Sequence, residues 1–399
     1  MSKNIGTVSI GIKCPIIKKG DDISKIIINK ISDLEKEDNI FLQNRDIIAI
    51  TESIVARAQG NYASIDDIAI DIKNKFKNCE TLGVIFPIYS RNRFSILLKG
   101  ISRGCKRIIL MLSYPSDEVG NSLLSPDDLD EKNINPYNTV LTLKEYRSLF
   151  GYKKHKFTNI DYIDFYEKIV KNEKCNIEII FSNKAETILK HTNNILVCDI
   201  HSRERTKKIL KKLNNNAVIF GLDEILNAPV NNSGFNEKYG LLGSNKATEN
   251  TIKLFPRNGD ILVNDIQQKI FKLTNKHVEV MIYGDGAFKD PRGKIWELAD
   301  PTVSPFYTKG LIGVPNELKL KYLADNNFKN LHGKELNDAI FNVIKNKKKI
   351  EKDNMISQGT TPRQFSDLLG SLCDLTSGSG DKGTPIVLIK GYFDNYAAL

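Results

Sequence analysis

The chain has 399 residues, 41% hydrophobic and 27% charged, which is ample for a sizeable core and for two or three domains. Its net charge of +10 comes from lysines dispersed through Lys/Asn/Ile-rich segments. No RNP-like aromatic motif, zinc-finger spacing or basic heptad region accompanies that charge, so an anionic small molecule, not nucleic acid, is the expected partner.

No apolar run reaches the roughly 18–20 residues that a bilayer demands, so no membrane partner is expected. Met1-Ser-Lys-Asn-Ile lacks the apolar core of a signal peptide, and six cysteines without CxxC spacing read as reduced core residues. A cytoplasmic protein is the expectation. In chain order, Thr7–Ile12 predicts a strand and Pro15–Asp22 a turn. Asp22 then caps a helix with Ile26, Ile27, Ile31 and Leu34 on its apolar face. Asp46–Ile50 predicts a buried strand leading into Thr51-Glu-Ser-Ile-Val-Ala-Arg-Ala-Gln-Gly60. Between 105 and 235 a polar stretch, Ser113–Pro136, precedes a helix at Tyr162–Lys171 and a strand at Ile177–Phe181. A strand at Ile195–Asp199, a helix near Arg205–Leu213 and a strand at Ala217–Phe220 follow, the order of a small α/β unit. Beyond the linker Asn227–Gly234 the pattern predicts strands at 260–263, 278–283 and 386–390. Helices are predicted at 264–273, near 316–325, at 335–346 and at 362–373.

Chemistry concentrates in glycine-punctuated polar segments beside apolar runs. Asp374-Leu-Thr-Ser-Gly-Ser-Gly-Asp-Lys-Gly-Thr-Pro385 is the densest, with glycines at 378, 380 and 383. Glycine frees backbone N–H groups to converge on one anion, Ser377 and Ser379 add hydroxyl donors, and Lys382 adds a cation. Asp374 and Asp381 are candidate ligands for a hard metal ion. Gly284-Asp-Gly-Ala-Phe-Lys-Asp-Pro-Arg-Gly293 and Leu242-Gly-Ser-Asn245 are of the same kind. Asp199-Ile-His201, also at a strand end, reads first as a capped turn and second as a metal pair.

Taken together these segments resemble the coenzyme F(420)-0:L-glutamate ligase family, the γ-glutamyl ligases of the deazaflavin cofactor. Pro15–Asp22 resembles its Gly-Asp-Asp segment, and Thr51–Gly60 its Thr-Ser-Lys-Ile-Val-Ser-Lys-Ala-Glu-Gly motif. Leu242–Asn245 with Leu254-Phe-Pro256 is similar to its Asp-x-Ser-Asn followed by Leu-Leu-Pro. Asp285–Gly293 resembles its Asp-Thr-x-Gly-Arg-x-x-Arg-x-Gly, and the C-terminal loop and strand resemble its closing Gly-Gln-x-x-x-Gly-x-Pro. The resemblance covers about 5–104 and 236–392. It implies an α+β fold with mixed sheets: a two-part ligase-like core, 1–104 and 236–399, interrupted by a small α/β insertion at 105–235.

It also implies a nucleotide-dependent amide ligase using GTP or ATP with Mg²⁺ or Mn²⁺, a small carboxylate acceptor and L-glutamate or another amine, acting as a homodimer. Carried over by position, Glu52, Ser53, Arg57 and Asn245 are expected at the nucleotide, together with the loop residues Ser377, Gly378, Ser379, Gly380 and Lys382. Asp285, Arg292 and Lys382 are the expected catalytic groups, and Asp285, Asp290 and Asp381 the expected metal ligands. Departures are plain: Leu242, Gly286 and Ser379 stand where the family places metal-binding residues or their neighbour. A rebuilt anion site accounts for the local density of Asp, Gly, Lys and Arg. A non-catalytic nucleotide-binding regulator is the alternative, and an RNA-binding protein, resting on charge alone, the third.

Overall fold

The computed structural model describes residues 5–156, 158–284, 287–289, 296–298, 304–347, 364–377 and 380–397, with backbone only at 287–289 and 296–298. The fold is α+β with several mixed sheets. The chain opens with β1 (Val8–Ile12), α1 (Ile23–Glu37), β2 (Ile47–Thr51), α2 (Glu52–Gln59), β3 (Tyr62–Ser64), α3 (Ile65–Lys75), β4 (Thr81–Ile85) and α4 (Phe94–Arg103). It continues through β5 (Arg107–Leu112), α5 (Pro126–Glu131), β6 (Leu141–Thr142), α6 (Leu143–Phe150), α7 (Tyr162–Asn172), β7 (Asn176–Phe181), β8 (Asn194–Val197), α8 (Arg203–Leu213) and β9 (Val218–Gly221). Next come β10 (Asn245–Lys246), β11 (Thr251–Lys253), α9 (Gly259–Thr274), β12 (Glu279–Tyr283), β13 (Ala287–Lys289), β14 (Trp296–Leu298) and β15 (Phe306–Tyr307). The one-turn α10 (Leu320–Tyr322), α11 (Gly333–Lys345), α12 (Phe365–Ser377) and β16 (Ile386–Lys390) complete it.

A five-stranded sheet runs in the order β1-β16-β2-β12-β15. Only β2 and β12 are parallel neighbours, and their register sets Thr51 beside Tyr283. The continuous apolar runs of β2, β12 and β16 follow from burial on both faces. Ile48, Ile50, Val280, Ile282, Ile386 and Leu388 pack against Ile27 and Ile31 of α1 and Val263, Ile266 and Ile270 of α9. Ile47, Ala49, Met281, Val387 and Ile389 face Leu369 and Cys373 of α12 on the other side. Asp22 caps α1 as the sequence predicts, its Oδ1 accepting the Lys25 N–H at 2.9 Å. The segment 260–263, read as a strand, is instead the first turn of α9. Ile261 is exposed and Val263 buried, a contrast that a short apolar run does not reveal.

A six-stranded sheet has the order β6-β7-β5-β4-β8-β9, with every pair parallel except β6 with β7. Helices α3, α4 and α7 cover one face through Ile68, Leu98 and Tyr166, and α8 covers the other through Leu210. This differs from an insertion confined to 105–235. The internal strand β4 and the covering helices α3 and α4 all precede residue 105, so the α/β unit begins near Ile65. A parallel sheet grows outward on both sides of its first strand, and β4 is that strand. A three-stranded sheet, β10-β11-β3, links the two larger ones.

Candidate functional site

At one end of the five-stranded sheet, β2 and β12 finish while β16 begins. The Thr51 N–H donates to the Pro385 carbonyl at 2.9 Å, and the Cys14 N–H to the Gly383 carbonyl at 2.9 Å. Four chain segments therefore meet around a cavity of about 380 Å³. Its lining includes Ile16 and Ile17, Thr51, Ser53 and Arg57, Tyr283, and Asp374, Ser377 and Gly380.

The local sequence explains the arrangement. Helix α2 starts directly at the end of β2, and its N-cap residue, Thr51, makes no side-chain capping bond. The first-turn N–H groups of α2 thus lie at the cavity without a side-chain cap, the kind of terminus that suits an anion. Pro15–Asp22 is tied to the far end of α2 by the Gly20 N–H, which donates to the Ala58 carbonyl at 2.8 Å. Gly20 sits at φ +92°, in the left-handed region that favours glycine. The C-terminal loop is closed at its base by Thr384 Oγ1, which donates to the Ser377 carbonyl at 2.8 Å. A Cβ added at Gly380 would meet nothing within 4 Å, so open space lies over that backbone.

Tyr283 is 2% exposed, and its hydroxyl has no aligned hydrogen-bond partner among the described residues. Burial pushes its pKa well up, and the Ser377 and Thr51 hydroxyls beside it oppose the shift. Burial also raises the Cys14 thiol to about 11, the charge of Lys30 working against it.

The expected site residues divide. Ser53, Arg57, Ser377 and Gly380 line the cavity together. Lys382 and Asp381 lie in the short helical turn Gly380–Lys382, exposed and outside the lining. Glu52 is turned into the interior, where the Lys253 ammonium meets both its oxygens at 2.6 and 2.5 Å. Each side chain of that pair is 8% exposed. Asn245 is outside the cavity lining, but it is the β-sheet partner of Lys253 and so joins the same assembly through that residue. Asp285, Asp290, Arg292, Gly378 and Ser379 lie outside the described residues, as do Gly286 and Asp300; Glu297 and Lys289 are described by backbone alone. Among the described residues no three His, Cys, Asp or Glu side chains converge as a cation site. Leu242, where the resemblance places a metal-binding Asp, is 4% exposed and belongs to the core beneath the six-stranded sheet.

Asp199 and His201 are not part of this cavity's lining. Asp199 accepts a hydrogen bond from Thr206 Oγ1 at 2.7 Å, and the N–H groups of Ile200, His201 and Ser202 all donate to Glu118, at 2.7, 2.9 and 2.7 Å. Burial and then the nearby Glu118 carboxylate push the Asp199 pKa up to about 6. Tyr283 and Lys253 were not singled out from sequence, and Ile16, Ile17 and Thr384 were marked only as parts of the segments Pro15–Asp22 and Asp374–Pro385. Only Lys253 carried a local signal, a lone cation in the apolar run 252–255.

Residues 11–391 match the family described as F420-0:Gamma-glutamyl ligase. A 56-residue stretch is 43% identical to Coenzyme F420:L-glutamate ligase of Methanosarcina acetivorans, covering 14% of this chain and 18% of that protein. The aligned stretch is thus under a fifth of that relative's length.

Proposed function

Because the chain belongs to the F420-0:gamma-glutamyl ligase family, we propose that it is a nucleotide- and divalent-metal-dependent ligase joining the amine of L-glutamate to a small carboxylate acceptor. The observation that carries the reading is the convergence of Ser53, Arg57, Tyr283, Ser377 and Gly380 on one cavity at the open end of a parallel strand pair. These residues lie in or adjoin three of the five segments that carry the family resemblance, and Ile16 and Ile17 of a fourth line the same cavity.

In this reading a nucleoside triphosphate, GTP or ATP, places its phosphates against the N-terminus of α2 and the backbone at Gly380. Arg57 supplies charge, and the hydroxyls of Thr51, Ser53 and Ser377 supply hydrogen bonds. The terminal phosphoryl group passes to an acceptor carboxylate oxygen as its bond to the bridging oxygen breaks, which releases the nucleoside diphosphate and leaves an acyl phosphate. The glutamate amine then attacks the acyl carbon, phosphate leaves with the bonding pair, and the amine proton is lost. A divalent ion would neutralise charge on the transferring phosphoryl group. Asp285, Asp290 and Asp381 are the residues that would hold it. A homodimer belongs to the same proposal.

A second reading, a nucleotide-binding regulator without turnover, is favoured by one observation: Leu242 is built into the core and offers no oxygen ligand. The two readings separate in one assay. Purified protein is incubated with GTP or ATP, Mg²⁺ or Mn²⁺, L-glutamate and coenzyme F420-0. Phosphate release that depends on both glutamate and the acceptor supports the ligase. Saturable nucleotide binding with no phosphate release supports the regulator, and no nucleotide binding at all refutes both.

A further inference from the structure

A second cavity, of about 280 Å³, lies beyond the C-terminal end of β16. Tyr392, Phe393, Asp394 and Tyr396 line it from the chain that follows the strand, and Phe365 lines it from the start of α12. Ser377, at the other end of α12, lines the ligase cavity, and the two linings share no residue. A helix rises about 18 Å from residue 365 to residue 377, so the two cavities are separate places.

Three rings meet there at near right angles. Phe365 crosses Tyr392 at 81° and Phe393 at 72°, and Tyr392 crosses Phe393 at 90°, with centroids 6.3, 5.3 and 5.4 Å apart. An aromatic ring is negative on its face, so rings set as the walls of a corner attract a cation. Phe393 already works in this way, with the Arg45 guanidinium 4.1 Å from its centroid. That leaves Phe365, Tyr392 and the exposed Tyr396 for a ligand. The charges agree in sign. Glu317 and Asp394 line the cavity, and among the described residues neither carboxylate has an ion-pair or hydrogen-bond partner. Lys347, the cation of the lining, donates to the Asn316 carbonyl at 3.0 Å. Burial, and after it the Glu317 carboxylate, raise the Tyr392 pKa, which marks a negative field at that ring. A metal ion would find too few ligands, since no three acidic, imidazole or thiol groups converge among the described residues.

We propose that this cavity binds a small alkylated ammonium ion, at a site distinct from the ligase cavity and independent of the ligase reading. Its volume, just under the roughly 300–1,000 Å³ of ordinary ligand pockets, suits a small ion. Alkylation follows from the walls. A primary ammonium gives up hydrogen bonds to water that aromatic faces do not return, whereas a trimethylammonium group has none to lose and presents apolar methyl surface to the rings. Glu317 and Asp394, both exposed, balance its charge from the water side.

The test titrates the full-length chain with choline by calorimetry at fixed ionic strength. Ethanolamine, its primary-amine counterpart, and 3,3-dimethylbutan-1-ol, its neutral isostere, are titrated beside it. The expected result is saturable choline binding, with each comparison compound at least about tenfold weaker. Tyr392→Leu should weaken choline about tenfold and Glu317→Gln about threefold. Glu317 is exposed and makes no ion pair among the described residues, so its replacement should leave the thermal midpoint unchanged and keep the test clear of misfolding. Absence of saturable choline binding, equal affinity for the neutral alcohol or for ethanolamine, or wild-type affinity in either variant would each overturn the proposal.

Discussion

Replacing Lys253 with methionine tests whether the buried pair with Glu52 is what holds the Thr51 motif against the three-stranded sheet. The two groups come from residues 201 apart in the chain, each side chain is 8% exposed, and the ammonium meets both carboxylate oxygens. At 2.6 Å and an effective dielectric of about 20, the gross attraction is about 6 kcal/mol. Much of that is offset by taking two charges out of water. Losing one partner is a different matter, because the Glu52 charge stays in the interior without its ammonium. The expected cost of Lys253→Met is therefore about 3–5 kcal/mol in urea unfolding, while Glu52→Leu/Lys253→Met should return to within about 1–2 kcal/mol of wild type. The double variant also separates two roles for Glu52. If the carboxylate only positions α2, nucleotide affinity returns with stability; if it touches nucleotide, stability returns and affinity does not. Strictly additive losses, with no coupling between the two changes, would refute the argument.

Asp199→Asn should stabilise the protein near neutral pH. A folded pKa of about 6 against an ordinary 3.8 means that the folded state holds the proton more tightly. The penalty is absent below the unfolded value, grows between pH 4 and 6, and reaches about 3 kcal/mol above that. The gain, up to that size at pH 7.5, should vanish near pH 4 in unfolding curves; an equal gain at both pH values would sink the reasoning. Gly380→Val should leave the thermal midpoint unchanged, since its Cβ meets open space, yet weaken nucleoside triphosphate binding at least about tenfold by calorimetry. Lys382→Ala should weaken it about tenfold to hundredfold if the lysine bonds phosphate, a loss of about 1.5–3 kcal/mol. Wild-type affinity in both variants would return the loop to a plain turn. Asp285→Asn should lower metal-dependent nucleotide binding while the midpoint holds, and an unchanged metal titration would count against it.

What was legible in the sequence was what local physics fixes. Asp22 announces α1 because an aspartate at that position accepts an N–H of the first turn. The runs Ile47–Ile50 and Ile386–Ile389 announce strands because both their faces are buried. Topology was not legible. The run Leu82-Gly-Val-Ile85 carries no sign that it is an internal strand of the second sheet, so the boundary set at 105 cut through that sheet. The Glu52–Lys253 pair was equally hidden, because nothing near Glu52 in sequence shows that its counter-ion comes from β11. Arg57 and Ser377, by contrast, stand in segments marked by their composition, and both line one cavity.

The two larger sheets share a rule and differ in how it is used. In α/β structures ligands enter where parallel strands end and their connections part. The six-stranded sheet has such a place between β4 and β8, since β4 leads to β5 on one side and lies against β8 on the other. That place is filled by the protein itself. Leu241, Leu242 and Ser244 close over Ile88, Cys198 and Ile200, leaving a space of about 20 Å³, and the Glu118 carboxylate occupies the N–H groups that precede α8. The corresponding place on the five-stranded sheet, at the ends of β2 and β12, keeps about 380 Å³. Leu242, where the resemblance places a metal-binding Asp, is part of the apolar plug that joins this segment to the core of the second sheet. The α/β unit thus buttresses the Leu242–Asn245 segment, and the larger open space is the one at the ends of β2 and β12. Leu242→Asp puts the two uses of that position in opposition. It should destabilise the fold by several kcal/mol through a buried, unpaired carboxylate. Little change in unfolding, with a new metal dependence of nucleotide binding, would show that the segment still belongs to the ligand site.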